Sequence, residues 1–396
     1  MSGAGAPSAL ASALGYRKFA PGRPPRVLLM EADYHVVGAL RSAARELGWE
    51  LRGLPTATTG RGEGDFLREL LTALVDFRPD FLLSVNHLGF DEQGVLAELL
   101  ERFEIPLASW FVDHPLPILF GAEANARSNC QLFCFERTAL PWLTAIGFED
   151  PRHLPTGARL TLESAVPGAR RLGPPLALVA SSWWHKARVE PAPAVRREAQ
   201  WWLATHPMNS TFVADGLVTA LAGRDPRGRL GPLGAQVALA ETSMNTRADF
   251  VRALAPCAPT VYGDEHWRRL VPEVRLEPPV DPERELPALF AADAVHLNVT
   301  AEQMPTAVNQ RVWDVPAMGG FLLTDERDDL LERFEDGRDV ATFGDLDEAL
   351  EKARRYLASP EERRRIAQRA RQKVEAEHRT LHRLQEMEAV LRARFG

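Results

Sequence analysis

The sequence has little cysteine, few aromatic residues and no long hydrophobic run. Three cysteines form an odd and sparse set, which excludes a disulfide framework. Cys130 and Cys134 lie close together, but no further ligand follows at zinc-site spacing, so we expect no metal site. No apolar run approaches the ~20 residues that span a bilayer, and Met1–Pro25 lacks the apolar core of a signal peptide. These absences predict a cytoplasmic protein with a loosely ordered tail over residues 1–20.

An excess of basic charge is also missing. The chain has 47 Lys and Arg against 54 Asp and Glu, a formal net charge of −7. General nucleic-acid binders usually carry excess basic charge, so no nucleic-acid partner is expected. The charged tail Pro360–Phe395 is typical of a solvated helix face with ion pairs one turn apart, and nucleic-acid binding by this helix is the minority interpretation.

Strands and helices alternate in the first part of the chain. Because 396 residues exceed what one core usually holds, two domains are expected. Alternating strands and helices predict a parallel sheet, whose strands are buried on both faces and therefore form continuous apolar runs. Residues 21–165 are thus predicted to form one doubly wound domain. Its strands are predicted at Arg26–Met30, Trp49–Leu54, Asp80–Val85, Pro106–Val112 and Gln131–Phe135.

The same pattern restarts after a segment rich in proline, glycine and arginine. This segment predicts a linker at 166–175, followed by a second Rossmann-like domain at 176–375. A C-terminal helix within 376–396 is expected to pack back on the first domain. The overall prediction is an α/β protein with two doubly wound domains that face each other across a cleft. The second half is predicted to hold strands at Leu176–Ala180, Thr260–Tyr262, Val274–Leu276, Ala294–Val299 and Gly320–Leu323, with helices including Ser210–Leu221 and Ala307–Met318.

Polar side chains follow several strands of the first predicted sheet. Ligands of such sheets bind beyond the carboxyl ends of the strands. A lone carboxylate there is as often a helix cap, but three polar loops on one edge favour a site that binds hydroxyls or moves protons. Pro115 fixes the backbone directly after two of these groups. The candidates are Glu31, Asp33 and Tyr34 after the first strand, Asn86 and His87 after the third, and Asp113 and His114 after the fourth.

The second predicted sheet has its own strand-end candidates. Ser182 and Lys186 follow its first strand, Gly263 follows its second and Glu277 its third. A lysine here can face a phosphate. A solvated basic loop explains the same residues equally well.

The segment Asn298–Asp325 carries the strongest local signal. A strand ends near Val299, and a helix is predicted to open at Pro305 or Thr306, because proline suits the first helical turn. The free N–H groups of such a turn form an anion site. Arg311 and Asp314 then share one helix face. No glycine-rich dinucleotide or P-loop signature is present.

From Asn309 to Asp325, the sequence NQRVWDVPAMGGFLLTD resembles the C-terminal glycosyltransferase group-1-like domain of CgeB-like spore-maturation proteins. The resemblance extends over roughly residues 26–385 and is more specific in the second half. Its other matching segments are Asp80–Val85, Ser109–Pro115, Phe334–Val340, Asp345–Leu346, Tyr356–Arg363 and Ala376–His378.

The resemblance implies a GT-B glycosyltransferase that retains anomeric configuration and needs no metal or other cofactor. It implies a donor site mainly in the second domain, with a UDP-sugar as the first expectation, and an acceptor site in the first. The acceptor, whether a protein, a glycan or a small molecule, stays unidentified. Asp314 takes the place of a carboxylate that binds the donor ribose, and Thr306 stands where the wider retaining group has a sugar-contacting glutamate.

The remaining roles also follow from the resemblance. Arg311 is placed to neutralise the diphosphate, with Pro305 and Asn309 in the same donor-binding segment. His114, with Asp113 beside it, is expected near the reacting sugar. Two alternatives stay open on the same fold: an epimerase-like enzyme that modifies sugar nucleotides, and a non-catalytic protein that binds them.

Overall fold

The structure is a computed structural model that describes residues 9–31, 34, 36–56, 63–160, 173–205 and 232–396. The chain divides into two compact units, Met1–Thr156 with Thr380–Gly396, and Gly157–Arg379. The predicted helix Ser210–Leu221 lies outside the described residues, as do Asp33 and most of the predicted linker at 166–175.

The first unit contains a sheet of six parallel strands. The third, fourth and fifth strands are buried along their whole length, as their continuous apolar runs predict. The strands are β1 Arg26–Glu31, β2 Glu50–Pro55, β3 Phe81–Val85, β4 Leu107–Phe111, β5 Cys130–Cys134 and β6 Arg152–His153. Their order in the sheet is β2-β1-β3-β4-β5-β6.

Helices cover this sheet, and one of them comes from the far end of the chain. The helix Thr380–Phe395 belongs to the first unit, because its apolar side chains join the core beside β1 and β3. The indole Nε1 of Trp49 also donates a hydrogen bond of 2.9 Å to Glu388 of this helix. The preceding helices of the unit are α1 Ala9–Leu14, α2 Val37–Glu46, α3 Glu63–Phe77, α4 Val95–Arg102, α5 Leu116–Leu119 and α6 Leu140–Ala145.

The second unit contains another sheet of six parallel strands. The strands are β7 Leu176–Val179, β8 Thr260–Tyr262, β9 Arg275–Glu277, β10 Val295–Asn298, β11 Phe321–Asp325 and β12 Ala341–Phe343. Their order, β12-β11-β10-β7-β8-β9, reverses between β7 and β10. In doubly wound sheets this reversal opens a crevice at the carboxyl ends of the two central strands.

Among the helices of the second unit, the 22-residue helix Pro232–Ala253 is not predicted by the sequence pattern. It precedes β8 and passes the carboxyl end of the sheet. The helices are α7 Pro193–Thr205, α8 Pro232–Ala253, α9 Trp267–Leu270, α10 Leu286–Phe290, α11 Arg311–Ala317, α12 Asp328–Leu331, α13 Leu346–Ala358 and α14 Pro360–Glu377, and the last helix Thr380–Phe395 is α15.

The predicted start of the helix after β10 is wrong. The helix begins at Arg311, not at Pro305 or Thr306, and the preceding loop is irregular. The loop backbone is satisfied by other elements: the Glu302 N–H donates to a serine hydroxyl of α8, and the Thr306 carbonyl accepts an N–H from α12. The side chain of Asn309 then accepts the Arg311 N–H at 3.2 Å. Thr306 therefore offers no helix terminus to an anion.

Within the described ranges, no helix is long and apolar enough to cross a membrane. The described His, Cys, Asp and Glu side chains also form no group of three that could hold a metal ion. Cys130 and Cys134 are buried in β5, where burial raises the pKa of the Cys130 thiol to about 12. These two cysteines act as small core residues.

Candidate functional site

A cluster of arginines lies at the carboxyl ends of the central strands in the second unit. Arg247 of α8 is only 5% exposed, and its Nη1 donates a hydrogen bond of 2.7 Å to the Ser181 carbonyl after β7. Arg327, after β11, is buried beside Asp325, with 3.0 Å between the charged atoms. Arg311 at the start of α11 completes the cluster.

The buried side chain of Asn298 orients Arg311. The Asn298 side chain ends β10 and donates to the Thr324 hydroxyl at 2.8 Å. Its Oδ1 accepts hydrogen bonds from Nε of Arg311 at 2.9 Å and from Nδ2 of Asn309 at 2.8 Å. Asn309 thus orients Arg311 through Asn298.

Two of the three arginines in this cluster, Arg247 and Arg311, are electrostatically costly. Burial and, to a lesser extent, the nearby charge of Arg311 together lower the pKa of Arg247 to about 9. Burial likewise lowers the pKa of Arg311 to about 10, against the attraction of Asp325. Two poorly hydrated guanidinium groups that repel each other gain most from an anion with several oxygens. In addition, Nε of Arg247 has no hydrogen-bond partner among the described residues.

A glutamate that was not among the candidates from the sequence lies in the same cluster. Glu302 is fully buried in the loop after β10, and its Oε1 accepts the Thr246 hydroxyl at 2.8 Å. Its Oε2 has no hydrogen-bond partner within the described part of the chain. Burial raises the pKa of Glu302 to about 7, although the charges of Arg327 and Arg247 oppose this shift. The charge of the cluster therefore changes near neutral pH.

Anion binding should depend on this titration. Below pH 7 a neutral Glu302 leaves the arginines uncompensated, whereas above pH 7 its carboxylate competes with the anion for them. We expect the pyrophosphate Kd of the wild type, divided by that of Glu302→Gln, to rise about tenfold from pH 6 to pH 8. Calorimetric titration measures both constants, and the ratio removes the titration of pyrophosphate itself. The exposed Glu265 supplies the control: the pyrophosphate Kd of the wild type divided by that of Glu265→Gln should stay constant over the same pH range. A ratio for Glu302→Gln that does not change with pH would contradict the prediction.

The predicted ribose ligand Asp314 is engaged with protein groups. Its carboxylate is 1% exposed and pairs with the guanidinium of Arg159 at 2.9 Å. It also accepts the backbone N–H groups of Arg159 and Leu160 at 2.8 and 3.3 Å, and the amide of Gln310 at 3.1 Å. These bonds tie the start of the second unit to α11.

The other predicted donor-binding residues are dispersed around the same sheet edge. Ser182 donates both its N–H and its hydroxyl to Asp264, at 2.7 and 2.6 Å. The Gly263 N–H donates to the Glu277 carbonyl at 3.2 Å, and a Cβ at Gly263 would collide with the backbone at the end of β7. Lys186 is exposed, while Pro305 is partly buried in the loop before α11.

In the first unit the structure brings together two predicted acceptor-binding residues, Tyr34 and Asn86, and the predicted catalytic residue Asp113. The carboxylate of Asp113 accepts hydrogen bonds from the Tyr34 hydroxyl and, at 2.9 Å, from the Asn86 amide. The Oδ1 of Asn86 accepts the N–H groups of Val112 and Asp113 at 2.9 and 3.1 Å, which joins the ends of β3 and β4. Glu31, by contrast, forms an ion pair with Arg41.

Both predicted histidines of the first unit are buried and neutral. Burial lowers the pKa values of His87 and His114 to about 4. The Nδ1 of His114 accepts the Leu116 N–H at 3.3 Å, so Nε2 carries the proton. This Nε2 has no hydrogen-bond partner among the described residues. The Nδ1 of His87 lies 3.0 Å from the Ser109 hydroxyl. His114 therefore offers an uncharged N–H donor.

Sequence reasoning missed Arg247, Glu302 and Arg159. No local signal marked Arg247, because arginine is itself a good helix former and here lies inside one continuous helix. A signal existed for Glu302, which closely follows a predicted strand end. Nothing in the local pattern points from Arg159 to Asp314, since the pair spans 155 residues.

A family model matches a segment that lies mostly in the second unit. Residues 246–389 match the model of a family described as glycosyl transferase-like. The matched segment contains Arg247, Glu302 and Arg311. No curated protein matches the chain.

Solved structures match almost the whole chain at low identity. Sucrose-phosphate synthase from Thermosynechococcus elongatus is 11% identical over 94% of this chain and 99% of its own, with a TM-score of 0.55. Anabaena HepE in complex with UDP and glucose is 10% identical over 93% of this chain and 99% of its own, with a TM-score of 0.51. HepE in complex with UDP-glucose is 10% identical over 93% of this chain and 100% of its own, with a TM-score of 0.50. The predicted fold class, GT-B with two Rossmann-like domains, is confirmed.

Proposed function

We propose that the protein is a glycosyltransferase that moves a sugar from a nucleoside diphosphate to a hydroxyl acceptor. The observation that carries this proposal is the placement of two arginines, the buried Arg247 and the partly buried Arg311, at the reversal of the second sheet. The glycosyl transferase-like match over residues 246–389 supports it. The HepE complexes with UDP and UDP-glucose support a UDP-sugar as donor.

Charge stabilisation is the proposed contribution of the arginine cluster to the reaction. When the bond between the sugar carbon and the diphosphate breaks, negative charge grows on the departing phosphate oxygen. Arg247 and Arg311 stabilise this charge in a poorly hydrated site, where such an interaction is strongest. We assign Lys186 to the same diphosphate, and Ser182, Gly263, Glu277, Pro305 and Thr306 to the shape of the donor region.

Three further features of the proposal rest on the sequence resemblance. They are retention of anomeric configuration, independence from metal ions, and a place among the CgeB-like proteins. We also propose a cytoplasmic site of action, and we propose no cofactor other than the donor.

For Asp314 we propose a positioning role in place of the ribose contact. Donors from Arg159, Leu160 and Gln310 surround its carboxylate, so a ribose hydroxyl would have to displace one of them. Through these bonds Asp314 fixes the first turns of α11, which carries Arg311.

The acceptor side of the proposal belongs to the first unit. We propose that the network of Tyr34, Asn86 and Asp113 binds an acceptor hydroxyl, with His87 supporting it and the Glu31–Arg41 pair beside it. Asp33 is assigned to the same group by sequence alone. His114 is proposed to donate a neutral hydrogen bond from Nε2.

Replacing His114 tests this assignment. We expect His114→Ala to lower kcat about a hundredfold and to change nucleoside diphosphate affinity less than threefold, because its donor acts on the reacting groups. Since its pKa lies near 4, the kcat ratio of wild type to variant should stay constant from pH 6 to pH 8. Steady-state kinetics and calorimetry measure these quantities. His185→Ala, on an exposed residue, should match the wild type; equal loss of affinity and turnover in His114→Ala would contradict the assignment.

The central test is transfer itself. The purified chain is incubated with UDP-, GDP- and ADP-sugars and a panel of acceptors, with and without chelator, and products are identified by mass spectrometry and NMR. We expect transfer or slow donor hydrolysis with one nucleotide class, unchanged by chelator, and an α-configured product from an α-linked donor. Epimerised donor, or tight nucleotide binding with neither transfer nor hydrolysis, would replace the proposal by one of its two alternatives.

A further inference from the structure

Trp183 has an unusual backbone conformation beside the arginine cluster. It lies in the loop after β7 with a φ of +65°, a region that bulky side chains rarely adopt. Such strained residues persist where the surrounding structure holds them, and they concentrate at functional sites. The strained backbone of Trp183 therefore points to a functional role for its indole ring.

The surroundings of Trp183 fix both its backbone and its ring. Its N–H donates to the Ser181 hydroxyl at 3.2 Å, and its carbonyl accepts the Ala187 N–H at 3.0 Å. The half-buried ring packs on the small apolar cluster that includes Ala240 and Met244 of α8. The ring is thus held between the strand-end loop and the helix that carries Arg247.

Two cations of the proposed donor site lie over this one ring. The Nζ of Lys186 is 5.1 Å from the ring centroid, and the Cζ of Arg247 is 5.3 Å from it. Both distances fall within the range of cation–π attraction. The ring stabilises a cation without neutralising it, and it leaves the N–H groups of the guanidinium edge for other partners. A carboxylate in the same place would compete with an anion for those groups.

We propose that Trp183 is a positioning residue of the anion site, which holds Arg247 and Lys186 together for the oxygens of one diphosphate. The identity of this anion as the donor diphosphate rests on the proposed function. The strained backbone is the conformation that brings the ring under both cations.

The neighbouring Trp184 provides a matched control. Its ring stacks on His266, with 6.1 Å between centroids, and among the described cations it carries only the exposed Arg269, at 5.5 Å. It packs against the same apolar cluster as Trp183. Removing either ring should therefore disturb packing, but only Trp183 should affect the anion.

The experiment compares Trp183→Leu, Trp183→Gly, Trp183→Phe and Trp184→Leu with the wild type. Calorimetry measures binding of inorganic pyrophosphate and of UDP, and steady-state kinetics measures KM and kcat for the donor. Without the ring, Trp183→Leu and Trp183→Gly should bind pyrophosphate about tenfold more weakly and raise the donor KM by a similar factor, with kcat changed less than about threefold. Trp183→Phe, which keeps a ring face, should stay within about threefold of the wild type, and Trp184→Leu should match it.

Each possible result either supports or overturns the positioning role of Trp183. Lower thermal stability with unchanged pyrophosphate affinity in Trp183→Leu would overturn it, because a merely structural role predicts that result. Should Trp183→Leu fail to fold, Trp183→Gly decides, since glycine adopts the positive φ without strain. Trp183-dependent binding of pyrophosphate without binding of any nucleoside diphosphate would support the positioning role and overturn the proposed function. A wild type that binds neither would overturn both.

Discussion

Arg247→Ala is expected to lower kcat/KM for the sugar donor about a thousandfold, close to 4 kcal/mol of transition-state stabilisation. Arg247 is almost wholly buried, and its Nε lacks a hydrogen-bond partner in the described structure. A charged hydrogen bond in such surroundings strengthens as charge develops on the leaving phosphate. The variant should also weaken nucleoside diphosphate binding about a hundredfold, as calorimetry would show.

The thermal stability of Arg247→Ala provides a second test of its role. Loss of Arg247 removes one bond to the Ser181 carbonyl and the contact with the Trp183 ring, but it also removes a buried charge and relieves repulsion from Arg311. We therefore expect a melting temperature equal to or above that of the wild type without ligand, as is common for residues selected for function.

Two further variants control the Arg247 experiment. Arg252 lies on the same helix, exposed and paired with Asp249, so Arg252→Ala should change neither rate nor affinity. Arg247→Lys keeps the charge without the planar fork and should fall between the wild type and Arg247→Ala. Full activity in Arg247→Ala would remove the arginine cluster from the donor site.

The second large effect concerns stability. Asp314→Ala should destabilise the second unit by about 3–5 kcal/mol, because it removes an ion pair with the mostly buried guanidinium of Arg159 together with three further hydrogen bonds to the same carboxylate. At roughly 2–4 °C per kcal/mol, the melting temperature of this unit should fall by about 6–20 °C. Differential scanning calorimetry and hydrogen exchange at residues 159–160 measure the loss.

A double-mutant cycle on Asp314 and Arg159 distinguishes the positioning role of Asp314 from ribose binding. The double variant Asp314→Ala with Arg159→Met should be more stable than the sum of the single losses predicts, since it removes both charges of the pair. Asp249→Ala, which breaks an exposed pair, should change stability by less than about 0.5 kcal/mol. A stable Asp314→Ala that no longer binds nucleoside diphosphate would restore the ribose contact that the resemblance implies.

Local sequence patterns predicted most of the framework of the described fold. The apolar runs that form β3, β4 and β10 lie within a residue or two of their predicted bounds, because strands buried on both faces must be apolar throughout. The short edge strands β6 and β12 were missed, since two or three residues carry too weak a pattern.

The helix start after β10 shows why local signals fail at a site. Pro305 and Thr306 are good first-turn residues, and a free helix would begin there. Hydrogen bonds from α8 and α12 instead hold residues 300–306 as an irregular loop, and the Asn309 side chain moves the helix start to Arg311. Such contacts come from distant parts of the chain, so no local window contains them.

By itself, the sequence determined two parallel α/β sheets, the strand ends where polar groups collect, and Arg311 as a cation beside one of them. The tertiary structure alone decided which charges meet. It placed Arg247 of α8 near Arg311, left Glu302 buried among them, and turned Asp314 toward Arg159. The physical reason is that periodicity reports burial along one element, whereas electrostatic energy depends on distances between elements far apart in the chain.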